Sequence, residues 1–375
     1  MPRPTALTLV LLAFAAAATA AEPALGRFGR LADAEFSPAR GERIAIPIVL
    51  TRPAGVRLRI LSPDGDLVRT LGPRRLDAGR HVIEWDGRDD EGTVVPDEAY
   101  VPVLELEDGS GARTVVDPRA GTGGEIVPDE ALAVEVFRDG LIRYRLPAPA
   151  RVLVRVGLKQ GPMLRALADW TPRLAGSNVH RWDGWDRDRL LRVIDDPRVA
   201  VLVTAFRLPE PVIVATGNRR LAYPDYRRLR GWPDPVPPAR IAFERDGRRL
   251  SPFASLPRML QRDPRVLLEI LERPAPGGRG RLKVRVDIPP EDRWWLEQGL
   301  YEVAFFIDGR FEAEEEHGYV PITWVRDVAG LAPGRHVVTV NVAGFRGQVG
   351  VRSAAFEVPP DASRPRGAAA PRRPP

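Results

Sequence analysis

The chain has 375 residues, no cysteine and four histidines, with 44% hydrophobic and 28% charged side chains. At about 100–200 residues per domain this is a globular chain of two to four domains, and it excludes disulfides, thiolate metal sites, iron–sulfur clusters and Cys nucleophiles. The formal charge is +6, but Arg3 and the four Arg after residue 360 carry most of it, so the body is nearly neutral and has no basic, aromatic-interleaved stripe for nucleic acid. From the N-terminus, Met1 to Thr5 holds one Arg. Ala6 to Ala18 is apolar except for Thr8, and Ala18-Thr19-Ala20 offers small residues for cleavage. This layout reads residues 1–20 as a secretory signal peptide. No later stretch approaches ~18 apolar residues. The expectation is therefore a periplasmic or extracellular protein with no stable membrane span after cleavage.

A repeat follows. Leu50-Thr51-Arg52-Pro53-Ala54-Gly55-Val56-Arg57-Leu58-Arg59-Ile60 aligns with Leu146-Pro147-Ala148-Pro149-Ala150-Arg151-Val152-Leu153-Val154-Arg155-Val156, 96 residues on. Ala78-Gly79 then matches Ala175-Gly176, and Trp85-Asp86-Gly87 matches Trp182-Asp183-Gly184, at a spacing of 97. Such a period is too long for a solenoid repeat and suits one small β-sandwich. Val56, Leu58 and Ile60 alternate with Arg57 and Arg59, which predicts a strand with one wet face, and Val152, Val154 and Val156 repeat the pattern. Ser62-Pro63-Asp64-Gly65 is a turn, and Gly79 to Trp85, Tyr100 to Leu106 and Val199 to Ala205 read as further strands. Gly79 and Gly176 should start equivalent strands, and Trp85 and Trp182 should occupy equivalent core positions. These units span 40–118 and 132–218.

Residues 219–263 break the repeat. Tyr223, Tyr226, Trp232, the prolines from Pro233 to Pro238 and many Arg suggest an extended, irregular connector, with one short helix from Ser255 to Gln261. A third unit occupies 264–359. Val266 to Leu271, Leu282 to Ile288, Tyr301 to Ile307, Pro333 to Val340 and Val349 to Val358 read as strands, and Asp308-Gly309 as a hairpin turn. Residues 360–375 are rich in Pro, Ala and Arg and read as a disordered tail. The fold class is all-β: three Ig-like β-sandwich domains in tandem, with an irregular connector and a disordered C-terminal tail.

Few residues suggest chemistry. Asp86, Asp89, Asp90 and Glu91 miss the alternating oxygen pattern of a calcium loop, and Asp86 and Asp89 read as turn residues that accept backbone N–H bonds. His81 and His336 each follow Gly-Arg at a strand start without a partner ligand, so they read as packing or hydrogen-bonding residues. Glu312, Glu314 and Glu316 read as a charged strand edge. Trp294 and Trp295, and with them Trp232, are the candidate interaction residues, able to stack on a sugar ring or anchor a protein partner. No Gly-x-Ser-x-Gly elbow, phosphate loop or His-Glu-x-x-His helix occurs.

Residues 43–109 carry a longer signature: Asp64-Gly65, Leu67-Val68-Arg69-Thr70-Leu71, Ala78-Gly79-Arg80-His81, Trp85-Asp86-Gly87-Arg88-Asp89-Asp90-Glu91-Gly92 and Tyr100. This resembles the Ig-like module of flagellar hook-capping proteins, the FlgD-like Ig family. The second unit keeps Trp182-Asp183-Gly184-Trp185-Asp186 but has Asn178 in place of His81 and no Gly at the family's spacing after Asp186. The resemblance implies tandem Ig-like modules and says nothing about a reaction. The expected role is a non-catalytic structural or adaptor component of the cell envelope or an extracellular assembly, with a protein partner and no cofactor, metal or nucleic acid. The alternatives are a carbohydrate- or cell-wall-binding protein using the three Trp, and a hydrolase built on acidic loop residues.

Overall fold

A computed structural model describes residues 24–236, 240–275, 280–297, 299–344 and 347–360, and of Trp295 the backbone alone. The expected signal peptide and the tail beyond residue 360 lie outside the described residues. Among the described residues no helix is long and apolar enough to cross a membrane.

Three β-sandwiches follow one another. In the first, Gly26–Phe28, Ile44–Leu50 and Gly79–Trp85 form one sheet. Leu67–Leu76, Ala54–Leu61 and Glu98–Asp108 form the heart of the other, with Arg113–Val116 also paired to Glu98–Asp108. Ile44–Leu50 alternates buried and accessible residues as a half-wet strand should. Ile46, Ile48, Leu58, Ile60, Trp85 and Tyr100 fill the space between the sheets. In the second sandwich Leu141–Leu146 lies between Gly176–Arg181 and Glu135–Val136, and this sheet packs on Met163–Arg173, Ala150–Leu158 and Val199–Arg207. The third sets Leu267–Glu272, Arg281–Asp287 and Ile322–Asp327 against Arg310–Glu315, Tyr301–Ile307, Gly334–Gly344 and Val349–Val358. Its core holds Val284, Val286, Phe305, Val340 and Phe356.

The internal equivalence expected from the repeat is visible in the register. Leu50 faces Gly79 in the first sandwich and Leu146 faces Gly176 in the second. Gly79 (φ 125°) and Gly176 (φ 108°) both enter their strands from a backbone conformation that L side chains rarely adopt, as does Gly334 (φ 130°) in the third. Trp85 and Trp182 are buried at the far end of these matching strands.

Three expectations are corrected. First, Ile213–Ala215, assigned by sequence to the second unit, pairs with Glu98–Asp108 of the first and, in parallel, with Glu35–Phe36. This short run is apolar and fully buried, and the first core includes Ile213 and Ala215. Second, the connector does not run as an extended spacer. Tyr223–Leu229 is a helix with Pro at its start, and Tyr223 and Tyr226, one helical turn apart, bury in the first core with Trp232 against them. The single helix expected from 255 to 261 is instead two 3-10 turns, Pro252–Ser255 and Arg258–Leu260, because Pro257 separates them. Third, the Arg-bearing face of Ala150–Leu158 is not wet. Nearly every residue of that strand is buried on both faces, including Arg151 and Arg155. On the outer face Leu153 packs with Trp170 and Phe206 of its own sheet and with Phe253 of the connector, while Arg151 meets Glu98 of the first sandwich and Arg155 the Gly347 carbonyl of the third.

Candidate functional site

Two acidic loops recur at equivalent places. In the first, the Trp85 indole Nε1 donates to the Arg88 carbonyl at 2.9 Å, and Asp86 Oδ1 accepts the Arg88 N–H at 3.1 Å. Asp89 Oδ1 accepts the N–H groups of Glu91 and Thr93 at 3.1 and 2.7 Å. In the second, the Trp182 indole donates to the Trp185 carbonyl at 2.8 Å, Asp183 accepts the Trp185 N–H, and Asp186 Oδ1 accepts those of Leu190 and Leu191. Short Asp side chains thus close both turns on their own backbone. Among the described residues no group of three or more His, Asp or Glu is placed to hold a metal ion.

Each loop receives a later part of the chain. The Tyr226 hydroxyl donates to Asp89 Oδ2 at 2.9 Å, and Arg230 bridges Asp89 and Glu91. The Tyr223 hydroxyl donates to Asp64 at 2.9 Å, while Arg227 pairs with Asp64 and Asp66 and its guanidinium lies over the Trp232 ring. Burial, reinforced by Asp64 and Asp89 respectively, pushes both phenols well above their ordinary range, so both donate as neutral O–H groups. Burial also raises Asp64, although the Arg258 N–H, Tyr223 and Arg227 oppose it. In the second loop Asp188 accepts Arg352 at 2.7 Å and the Ser353 N–H at 2.6 Å, which ties that loop to the third sandwich.

Between the first two sandwiches lies a buried junction of arginine and carboxylate. Glu98 is 1% exposed and Arg151 4%. Arg151 Nη1 reaches both Glu98 oxygens at 2.8 and 2.9 Å and the Trp170 carbonyl at 3.1 Å, and Arg258 Nε reaches Glu98 at 2.7 Å. Burial alone raises the Glu98 carboxyl, but Arg151 and Arg258 outweigh it and hold it below its ordinary value. Nearby, Arg155 pairs with Asp263, whose main-chain N–H donates to Asp169 at 3.2 Å. Burial, with Asp169 as a neighbouring negative charge, pushes Asp263 up to about 6 despite Arg155.

The Trp residues singled out from sequence belong to different cores. Trp232 is half-buried against the first core, edge-on to Tyr226 at 5.3 Å. Trp294 stands on the helix Pro290–Leu296 of the third sandwich and is 41% exposed, and the Trp295 side chain is outside the described residues. Glu312 pairs with Arg326 at 2.7 Å on the edge strand of its sheet, at an irregularity in the pairing that interrupts the expected alternation. His81 and His336 each donate a ring Nε2–H to a backbone carbonyl four residues earlier, that of Asp77 and of Ala332, and His336 also pairs with Asp308. The buried groups Glu98, Arg151, Arg258 and Asp263 carried no local signal, since their partners are remote in sequence. The helix face did carry one, in the spacing of Tyr223, Tyr226 and Arg227.

Residues 34–109 match the family model described as the FlgD Ig-like domain. The Basal-body rod modification protein FlgD of Salmonella typhimurium is 35% identical over 80 residues, which cover 19% of this chain and 34% of that protein. The chain thus spans about a third of the length of the curated relatives it matches. Among solved structures, FlgD from P. aeruginosa aligns at 18% identity over 26% of this chain and 74% of that one, with a TM-score of 0.21. Fibronectin(III)-like modules of Clostridium thermocellum CbhA align at 8% identity over 92% and 100%, with a TM-score of 0.20. The likeness to a FlgD Ig-like domain thus falls on residues 34–109, within the first sandwich.

Proposed function

We propose that this protein is an exported, non-catalytic adaptor or structural component of the cell envelope or of an extracellular assembly, placed in the periplasm or outside the cell. The observation that carries this reading is the repeated use of the acidic Trp-Asp-Gly loop as a docking surface. One loop holds the connector helix and the other holds the third sandwich. The buried Glu98 junction joins the first two sandwiches and the connector into a block suited to hold partners at fixed spacing. The second sandwich, with the same loop chemistry and register, is a second module of the same type. In the first loop Asp89 spends both oxygens on backbone amides, Tyr226 and Arg230, which places it poorly for acid–base work.

A protein partner has two free strand edges to use. Gly79–Trp85 and Gly176–Arg181 each pair on one side among the described residues, and each carries an exposed valine at the matching position, Val82 and Val179. Such edges offer unpaired backbone groups for strand addition. The test is photo-crosslinking in the native host from positions 82 and 179. Capture of the same envelope or extracellular protein from both positions is expected. Retention on insoluble glycans that disappears in Trp294→Ala and Trp295→Ala variants, without any crosslinked protein, would replace the adaptor reading with carbohydrate binding.

A further inference from the structure

A cavity of about 290 Å³ opens where the first sandwich, the second sandwich and the connector meet. Its walls include five arginines, Arg119, Arg151, Arg207, Arg245 and Arg258, and no carboxylate. The carboxylates that pair with these arginines, Glu98, Asp117, Glu125 and Glu210, are not among its lining residues. The void therefore meets cationic faces on several sides.

These arginines have donors to spare. A guanidinium carries five N–H groups in a fixed fork. Arg151 makes its three hydrogen bonds from Nη1 alone. Arg119 uses Nε and Nη2 on Asp117, and Arg245 uses Nη2 on the Gly123 carbonyl and Glu125. Arg258 uses Nε on Glu98 and Nη2 on the Asp169 carbonyl.

One acceptor complements them. Gln261 lines the cavity at 4% exposure, and its Nε2 donates to the carbonyls of Phe253 and Leu256, each at 2.8 Å. Those two bonds fix the orientation of the amide and leave Oε1 buried without a partner. A buried acceptor in that position calls for an O–H or N–H donor. Val101, Phe206 and Leu208 supply apolar wall. Apolar walls with a few convergent polar groups are the usual make-up of a small-molecule site.

We propose that this cavity binds a small hydroxylated organic anion of monosaccharide size, with a carboxylate or phosphate gripped by the arginine forks and a hydroxyl donating to Gln261 Oε1. Forked guanidinium donors match the paired oxygens of either anionic group. The polyol part meets the Gln261 acceptor and the apolar wall. Because the walls come from three parts of the chain, bound ligand ties them together and raises the melting temperature with concentration.

The test is calorimetry and thermal unfolding of the full chain with glucuronate and glucose 6-phosphate, beside glucose and inorganic phosphate as the two half-ligands. Saturable binding of at least one organic anion is expected, weakened by salt, with each half-ligand bound about tenfold or more weakly. Glucuronate and glucose 6-phosphate distinguish a carboxylate from a phosphate head group. Arg119→Gln and Arg245→Gln should each weaken binding about tenfold. The Arg119 pair with Asp117 is partly exposed, so that variant should keep the melting temperature of the ligand-free chain. Arg245→Gln leaves the buried Glu125 unpaired and should lower it, and its binding is measured well below that temperature. The proposal is overturned if neither organic anion binds, if both Arg variants bind as tightly as the parent, or if inorganic phosphate binds as tightly as glucose 6-phosphate and glucuronate not at all.

Discussion

Removing the charge of Glu98 should loosen the junction of the first two sandwiches. Glu→Gln keeps the shape and one acceptor, but leaves Arg151 and Arg258 facing each other without their common anion. Glu98 is 1% exposed and its pairs are at 2.8 and 2.7 Å, so solvent screens them little. Breaking a buried pair by deleting one partner typically costs about 3–5 kcal/mol, and the retained amide acceptor argues for the lower end, about 3 kcal/mol. The exposed pair Arg57–Glu105 at 3.4 Å is the internal control, worth less than about 1 kcal/mol. Equilibrium urea unfolding followed by Trp fluorescence at neutral pH measures both, with Arg57→Gln as the control variant. The acid limb gives an independent sign. Glu98 is held below its ordinary pKa, so its contribution is complete above the unfolded-state value and disappears as pH falls through the folded one. Parent and Glu98→Gln should therefore converge in strong acid. A cost for Glu98→Gln no larger than that of Arg57→Gln, or a difference that persists unchanged in acid, would refute the reasoning.

Three further outcomes follow from the same contacts. Tyr226→Phe removes the hydroxyl that donates to Asp89 Oδ2 at 2.9 Å while Arg230 stays on the same oxygen, and should cost about 0.5–1.5 kcal/mol, seen as faster proteolysis within 219–236 while the third sandwich stays intact. His180 is stacked on Tyr144, and burial, helped by Arg173, holds its pKa down to about 4, so its ring signals should titrate there by NMR. The unfolded chain takes up that proton near pH ~6.5 and the folded chain near 4, so stability should fall across this window, and His180→Phe should flatten that part of the profile. Asp169→Asn removes the negative neighbour that helps burial hold Asp263 near 6, so the Asp263 carboxyl carbon should titrate at lower pH in the variant.

What the sequence disclosed and what it hid divide by distance along the chain. The turn chemistry of Asp86 and Asp89 was legible because donor and acceptor lie within four residues of each other. The paired strands were legible because alternation of Val with Arg marks an inner face. The same alternation could not say what covers the other face. Arg57 and Arg59 of Ala54–Leu61 meet Glu105 and water, whereas Arg151 and Arg155 in the equivalent strand meet Glu98 and Asp263, 53 and 108 residues away. Nothing local separates the two cases. The near-neutral charge of the body hid this too, because it averages over arginines that are buried and arginines that are not. The strong preference for Arg, with Lys only at 159 and 283, makes physical sense at such a junction. A guanidinium can reach a carboxylate and a carbonyl together and stay charged when buried, where an ammonium tends to lose its proton. Arg151 meets that description, since a single Nη1 serves Glu98 and the Trp170 carbonyl and the rest of the fork remains for the cavity beside it.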